Sequence, residues 1–184
     1  MNSKVKDFLA LLGVASVSIF LDQWSKWWVR GNIELGGQWL PDGLNWLMPY
    51  ARIVYWHNSG AAFGIFQNGN LIFTILAFIV IGAILYYFPS VEENDWTLKL
   101  AMGLQLGGAI GNLIDRLLMG RVTDFISIAR FPVFNIADAS ISVGVAVLLL
   151  GVWLKEREEK LKASQLKAEM EPSAETAKES IKEG

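Results

Sequence analysis

Three aspartates and two asparagines stand close together in the second half of the chain, beside long apolar runs: Asn112, Asp115, Asp124, Asn135 and Asp138. An ionised side chain at bilayer depth costs at least ~2.5–3.5 kcal/mol, so such residues usually have a function or a charged partner. Two carboxylates that meet cannot both ionise easily, so one can act as a base toward water and the other as an acid toward a carbonyl. We therefore take Asp124 and Asp138 as the candidate catalytic pair of an aspartic protease.

Each member of this pair has an alternative structural role. The segment from Asn135 to Asp138 resembles a capping box, in which the two side chains close the first turn of a helix. Asp124 follows the turn after the third apolar run, so it could cap a helix or pair with Arg116 or Arg121. The pattern alone leaves catalysis and these structural roles about equally supported.

Other polar residues have helical spacing. Asn112, Asp115 and Arg116 stand at i, i+3 and i+4, which places them on one face of a helix. We expect Asp115 to be a buried clamp between helices, whereas Asn112 and Arg116 could contact substrate or support the scaffold. Asp22 and Lys26, at i and i+4, are expected to form a stabilising ion pair within the first helix.

The composition excludes several classes of protein. The chain has 184 residues, 53% of them hydrophobic, with a net charge of -2, one histidine and no cysteine. A disulfide framework, a thiolate nucleophile and a cysteine-ligated metal are therefore ruled out, and a histidine-rich zinc site is not expected. Without a basic excess we expect no nucleic-acid partner. The chemistry must depend on carboxylates, so we expect no metal and no cofactor.

The elements that must position these residues are four apolar runs, at 8–29, 71–88, 96–119 and 136–154. Each is near the ~20 residues that a helix needs to cross a bilayer. The first run could be a cleavable signal, but a charged, tryptophan-rich segment follows it without a convincing cleavage site, which favours retention. Basic residues precede the first run and follow the fourth, so both termini are predicted to be cytoplasmic.

The segments between and after these runs complete the predicted organisation. The first outer loop carries many tryptophans, so it is expected to lie on the membrane surface. Aromatic and β-branched residues at 44–58 predict short strands there. Asn58 and Gly60 predict either a turn with room for a peptide backbone to approach or a plain tight turn, with equal support. Residues 1–154 are predicted to form a four-span membrane domain. Residues 155–184 are rich in lysine and glutamate and are predicted to be a cytoplasmic tail, partly helical and then disordered, with a partner-binding helix as the alternative.

Five motifs in order resemble one family. LDQWSK, HNSGAAFG, GNLIDR, GRVTDF and FNIADA closely resemble the motifs of bacterial lipoprotein signal peptidases, also called signal peptidase II, and the resemblance covers about residues 8–154. Without this resemblance, two other classes of protein would remain possible: a small transporter or channel, and a membrane scaffold. The second and fourth runs are too purely apolar for a typical transporter, and a scaffold needs no acids.

The resemblance implies an all-α membrane protein, a four-helix bundle with a small outward-facing β-cradle in the first outer loop. It implies an aspartic endopeptidase of the bacterial inner membrane that removes signal peptides from prolipoproteins, just before the lipid-modified cysteine, at the outer face. The implied partners are the lipid-modified prolipoprotein and membrane lipids, and we expect a monomer. The implied catalytic residues are Asp124 and Asp138; the residues implied around them are Asn58, Gly60, Asn112, Arg116, Asn135 and Ala137, with Asp22 and Lys26 in support.

Overall fold

The computed structural model describes residues 2–58 and 69–182, with side chains as far as 165. Long helices dominate this part of the chain, and a three-stranded sheet accompanies them. The elements are α1 (Ser3–Asn32), β1 (Gln38–Trp39), β2 (Ala51–Asn58), α2 (Asn70–Tyr87), α3 (Trp96–Met119), β3 (Val122–Ile128) and α4 (Ile136–Lys182).

Local sequence signals set the ends of α3. The side chain of Asp95 caps its first turn by accepting from the backbone N–H of Leu98 at 3.0 Å. Gly120 ends it in the left-handed conformation, with φ of 69°, which glycine adopts without steric cost. Because both signals are local, the predicted bounds of this helix, 96–119, match the observed ones.

Glycines let α3 approach both α1 and α4 closely. A Cβ built on Gly107 would lie 2.8 Å from the carbonyl oxygen of Ala15 in α1. On another face of α3, a Cβ built on Gly108 would collide with the backbone of Ala137 in α4. Such close backbone approach is typical of small residues at helix interfaces in membranes. It brings the polar side chains of three helices to one level.

The sheet differs from the predicted cradle. Its strand order is β1-β2-β3 with antiparallel pairing, and β3 lies between α3 and α4 rather than in the first outer loop. Asp124 therefore lies within a strand, opposite Trp56, and not in a turn. Part of the predicted strand segment is instead a short 3-10 helix, Asn45–Leu47. The prediction missed β3 because it assigned Val122–Ile128 to the turn after the third apolar run.

Apolar side chains cover the outside of the helices, including Phe20 on α1 and Phe78 and Tyr86 on α2. Within the described residues, 70–90 and 136–165 are long and apolar enough to cross a membrane. Helices α1 and α3 are not among the segments that meet this test. The predicted all-α fold is corrected to a mostly helical fold with a small sheet. The four-span bundle stays a prediction.

The chain divides into two compact units, Met1–Val147 and Leu148–Gly184. In the second unit α4 runs to Lys182, and its side chains are exposed from residue 152 as far as residue 165. Two ion pairs at i and i+4 lie along it, Glu156 with Lys160 and Glu158 with Lys162, each at 2.6 Å. The predicted boundary at residue 154 and the predicted disorder of the tail stay predictions.

Candidate active site

Asp124 lies in the middle of β3 and is almost completely buried, with 1% of its surface exposed. Its two carboxylate oxygens accept hydrogen bonds from different side-chain amides. Asn58 Nδ2, at the end of β2, donates at 2.9 Å, and Asn135 Nδ2 donates at 2.7 Å. The acid is therefore held by neutral donors from two other segments.

Asp138 lies in the first turn of α4 and completes the capping box predicted there. Its carboxylate accepts from the backbone N–H of Asn135 at 3.2 Å, and Asn135 Oδ1 accepts from the backbone N–H of Asp138 at 2.9 Å. The other carboxylate oxygen accepts from Asn112 Nδ2 at 2.7 Å. Capping leaves this second oxygen available, so the structural role and a role in the site are compatible.

The orientation of the two amides follows from their neighbours. Lys26 Nζ approaches Asn112 Oδ1 at 3.0 Å, and an ammonium group can only donate. Asn112 must therefore direct its Nδ2 toward Asp138. In the same way the backbone N–H of Asp138 fixes Asn135 Oδ1, so Asn135 Nδ2 faces Asp124. Groups that can only donate therefore fix the Oδ1 atoms of both asparagines, so that both Nδ2 groups face the candidate pair.

Electrostatics separate Asp124 from an ordinary carboxyl group. Burial, followed by the charge of Asp138, raises the pKa of Asp124 to about 7. The hydrogen bonds from Asn58 and Asn135 and the charge of Lys26 oppose this shift. Near neutral pH, Asp124 can therefore hold a proton beside a second carboxyl group, as acid–base chemistry requires.

Both acids line one cavity of about 820 Å³. Asn58, Asn112 and Arg116 line the same cavity, and Gln105 lines it farther along α3. Arg116 lies over the ring of Phe73, 5.5 Å from its centroid. Most of the remaining wall is apolar and comes from α2, α4 and residues 131–134. The cavity can hold an apolar ligand with a few polar groups placed at the acids.

A second polar cluster, the buried ion cluster, consists of Asp22, Lys26, Arg30 and Asp115. Lys26 Nζ lies 2.8 Å from Asp22 and 3.3 Å from Asp115, and all three are buried. Arg30 lies 3.5 Å from Asp115, which also accepts from the backbone N–H of Thr123 at 2.9 Å. The predicted pair of Asp22 with Lys26 is present. Asp115 pairs with α1 and not with the adjacent Arg116.

The outcome differs among the remaining predicted residues. Ala137 is buried, and its backbone N–H donates to Asp22 Oδ1 at 2.9 Å, which connects α4 to the buried ion cluster. Gly60 lies outside the described residues. The sequence analysis missed Gln23 and Arg30, which contact Asp115. A four-residue spacing continuing from Asp22 through Lys26 would have identified Arg30.

Within the part of the chain that the structure describes, the histidine, aspartate and glutamate side chains form no group of three or more that could hold a metal ion.

Comparison with known proteins shows the family of this chain. The profile of the family described as signal peptidase (SPase) II matches residues 14–154. The chain belongs to the signal peptidase II family. It is 42% identical over 149 residues to the lipoprotein signal peptidase of Shouchella clausii, covering 80% of this chain and 95% of that protein. It is 38% identical over 148 residues to that of Symbiobacterium thermophilum, covering 78% and 94%.

Two solved structures share the fold of this signal peptidase II family member. Both are described as a bacterial membrane enzyme determined by the in meso method, at 2.3 and 1.9 Å resolution. The first has a TM-score of 0.71 and 29% identity over 79% of this chain, and the second 0.68 and 30% over 77%. The chain is thus a membrane peptidase, and the exposed apolar side chains of α1 and α2 agree with a membrane environment.

Proposed function

We propose that this peptidase is an aspartic endopeptidase that cleaves bacterial prolipoproteins on the N-terminal side of the diacylglyceryl-modified cysteine, with Asp124 and Asp138 as the catalytic pair. The observation that carries the proposal is their arrangement. A strand and a helix bring the two carboxyl groups to one cavity, and each carboxylate accepts two hydrogen bonds. The family's relatives named lipoprotein signal peptidase supply the substrate class.

The proposed reaction needs one proton shared between the two acids. Asp138 takes a proton from a water molecule, whose oxygen attacks the carbonyl carbon of the scissile bond, while Asp124 donates its proton to the carbonyl oxygen. The tetrahedral intermediate then collapses. Asp138 donates its proton to the leaving nitrogen as the carbon–nitrogen bond breaks, and one hydroxyl proton of the intermediate returns to Asp124 as the carbonyl re-forms, which restores both acids. The raised pKa of Asp124 supports this assignment, since a carboxyl group with a pKa of about 7 is protonated in a large fraction of molecules near neutral pH.

The neighbouring polar residues fall into two proposed groups. Asn58, Asn112 and Asn135 hold the pair in place through their side-chain amides, and Ala137 anchors the start of α4 through its backbone. Arg116 lines the cavity and is proposed to bind a carbonyl of the substrate, and Gly60 is proposed to lie near the substrate backbone. No cofactor is required by this chemistry.

Features of the same fold support a placement in the membrane. Asp22 and Lys26 of α1 and Asp115 of α3 are buried, whereas the outward face of α1 is apolar, with Phe20 64% exposed. A bundle of this kind can cross the bilayer although two helices have modest hydropathy. We propose four spans in the bacterial inner membrane, both termini in the cytoplasm, and the catalytic pair at the outer face of a monomer.

Cleavage by the purified protein tests the proposal. A prolipoprotein bearing a diacylglyceryl cysteine should be cut with that cysteine as the new amino terminus, and the unmodified precursor much more slowly. The acyl chains hold the modified precursor in the membrane, since each buried CH₂ contributes ~0.8 kcal/mol to membrane binding. This retention explains the expected difference in cleavage rate. Activity should persist in EDTA. Cutting at another bond, or equal rates for the two precursors in one detergent, would contradict the proposed specificity.

A further inference from the structure

Gln105 presents a side-chain amide to the cavity without using it inside the protein. It lies on α3 and lines the same cavity as Asp124 and Asp138. Among the described residues its amide has no hydrogen-bond partner, in contrast to Asn58, Asn112 and Asn135. An amide that lines a cavity and makes no hydrogen bond within the protein can bind a polar group of a ligand that enters the cavity.

The backbone around Gln105 makes room for this side chain. A Cβ built on Gly144 of α4 would lie 3.0 Å from Gln105 Cγ. The stem of Gln105 therefore passes over a position where α4 carries no side chain. From there the amide reaches a cavity whose other walls include Leu76 and Val80 of α2.

The depth of Gln105 relative to the catalytic pair identifies the ligand group. Gln105 precedes Asn112, which binds Asp138, by seven residues on the same face of α3, or roughly 10 Å along the helix axis. In the proposed substrate, the path from the scissile carbonyl carbon through the cysteine sulfur to the carbonyl carbon of the nearer acyl ester is eight bonds, also roughly 10 Å when extended. The direction also agrees, because Gln105 lies toward the interior of the membrane span, where the acyl chains go.

We propose that the Gln105 side-chain amide donates a hydrogen bond to an ester carbonyl of the diacylglyceryl group and so helps to select the lipid-modified substrate. This inference rests on the proposed function. The amide is one of the few polar groups in a mostly apolar wall, so it recognises the one polar junction in an otherwise hydrocarbon ligand. Acyl chains pass beyond it along α2 and α4.

A lipid without ester carbonyls tests this assignment. The same synthetic prolipoprotein peptide is prepared with a diacylglyceryl and with a dialkylglyceryl (ether) cysteine, and kcat/KM is measured for the wild type and for Gln105→Leu. We expect the wild type to prefer the ester substrate by roughly three- to tenfold, the range that one neutral hydrogen bond supports, and Gln105→Leu to lose that preference. Gln105→Met serves if the leucine variant is unstable, and Leu76→Met, a change of similar volume in the same cavity, should keep the preference.

Each other outcome overturns the inference. If Gln105→Leu lowers kcat/KM equally for both lipids, the amide contacts the peptide. If Gln105→Leu leaves kcat/KM unchanged for both lipids, the amide contacts neither the peptide nor the lipid. A wild type that cleaves both lipids equally would refute the ester contact and leave the proposed function standing. A wild type that cleaves neither substrate would instead refute the proposed function itself.

Discussion

The molecule contains two groups of aspartates that are both buried but are neutralised in different ways. In the buried ion cluster, Asp22 and Asp115 each lie against the ammonium of Lys26. In the proposed catalytic pair, Asp124 and Asp138 accept mainly from amides, with no cation in direct contact among the described residues. An ammonium group holds a buried acid by charge as well as by hydrogen bonds, whereas amide groups hold it by hydrogen bonds alone. The kind of partner therefore separates the acids that we propose to be structural from those that we propose to be reactive.

The largest expected effect follows from removing an acid of the catalytic pair. Asp124→Asn and Asp138→Asn should each lower turnover by at least ~10²–10⁴-fold, since acid–base catalysis contributes about that much. Cleavage of lipidated precursor is the measurement, and size-exclusion chromatography in detergent should show that both variants stay monodisperse. Near-normal turnover of either variant would contradict the proposed difference in role between this pair and the buried ion cluster.

Asp115→Asn should have the opposite profile. Removing one partner of a buried ion pair leaves an uncompensated charge and costs about 3–5 kcal/mol. We therefore expect a clear fall in the melting temperature in detergent, with turnover per folded molecule largely retained. A loss of activity with unchanged melting would move Asp115 into the catalytic machinery.

Lys26 connects the two groups, so its removal should affect proton transfer as well as folding. The double variant Asp22→Asn with Lys26→Met removes the ion pair together, and Asp22→Asn alone is the matched control. Without Lys26, Asn112 loses one of the donors that fix its amide, and we expect turnover to fall several-fold. The charge of Lys26 lowers the pKa of Asp124, so the alkaline limb of the kcat/KM profile should move to higher pH in the double variant only. An unmoved limb would confine Lys26 to a structural role.

Stability should also depend on pH through Asp124. Its pKa is raised to about 7 in the folded protein, against ~3.9 for an ordinary aspartate. The proton therefore favours the folded state, and this contribution is fully present below the unfolded pKa and is lost as the pH rises through about 7. Between pH 5 and 8 the wild type should lose roughly 2–3 kcal/mol more than Asp124→Asn. Parallel melting curves for the two proteins would show that the carboxyl group titrates normally.

The smallest effect is expected from the tail, which belongs to neither group of acids. Truncation after Lys162 removes no residue that lines the cavity, and it keeps the ion pairs of Glu156 with Lys160 and of Glu158 with Lys162. Cleavage in membranes should therefore stay close to that of the full chain. A large drop in turnover at normal expression would give the tail a functional role.

How much of this could be predicted from the sequence depends on how local each signal is. The bounds of α3 and the start of α4 were predictable, since Asp95, Gly120 and the Asn135–Asp138 box act within one turn. The pairing of β3 with β2 was not, because strand pairing depends on segments more than sixty residues apart and Val122–Ile128 is too short to show a pattern of its own. For the same reason spacing did not bring Asn58 to Asp124: the family resemblance implied a position near the substrate or the pair, and the structure shows the hydrogen bond.

The capping box at the start of α4 has a consequence for classifying divergent sequences. Asp138 stabilises a helix terminus as well as lining the cavity, so a descendant that had lost its peptidase activity would still gain from keeping this residue. Asp124 offers no such benefit: burial raises its pKa, so its contribution to the stability of the folded protein is already being lost as the pH approaches 7. An inactive descendant would therefore be expected to replace Asp124 first. The strand aspartate is the more informative marker of activity in a distant relative, although the helix aspartate lies in the more recognisable motif.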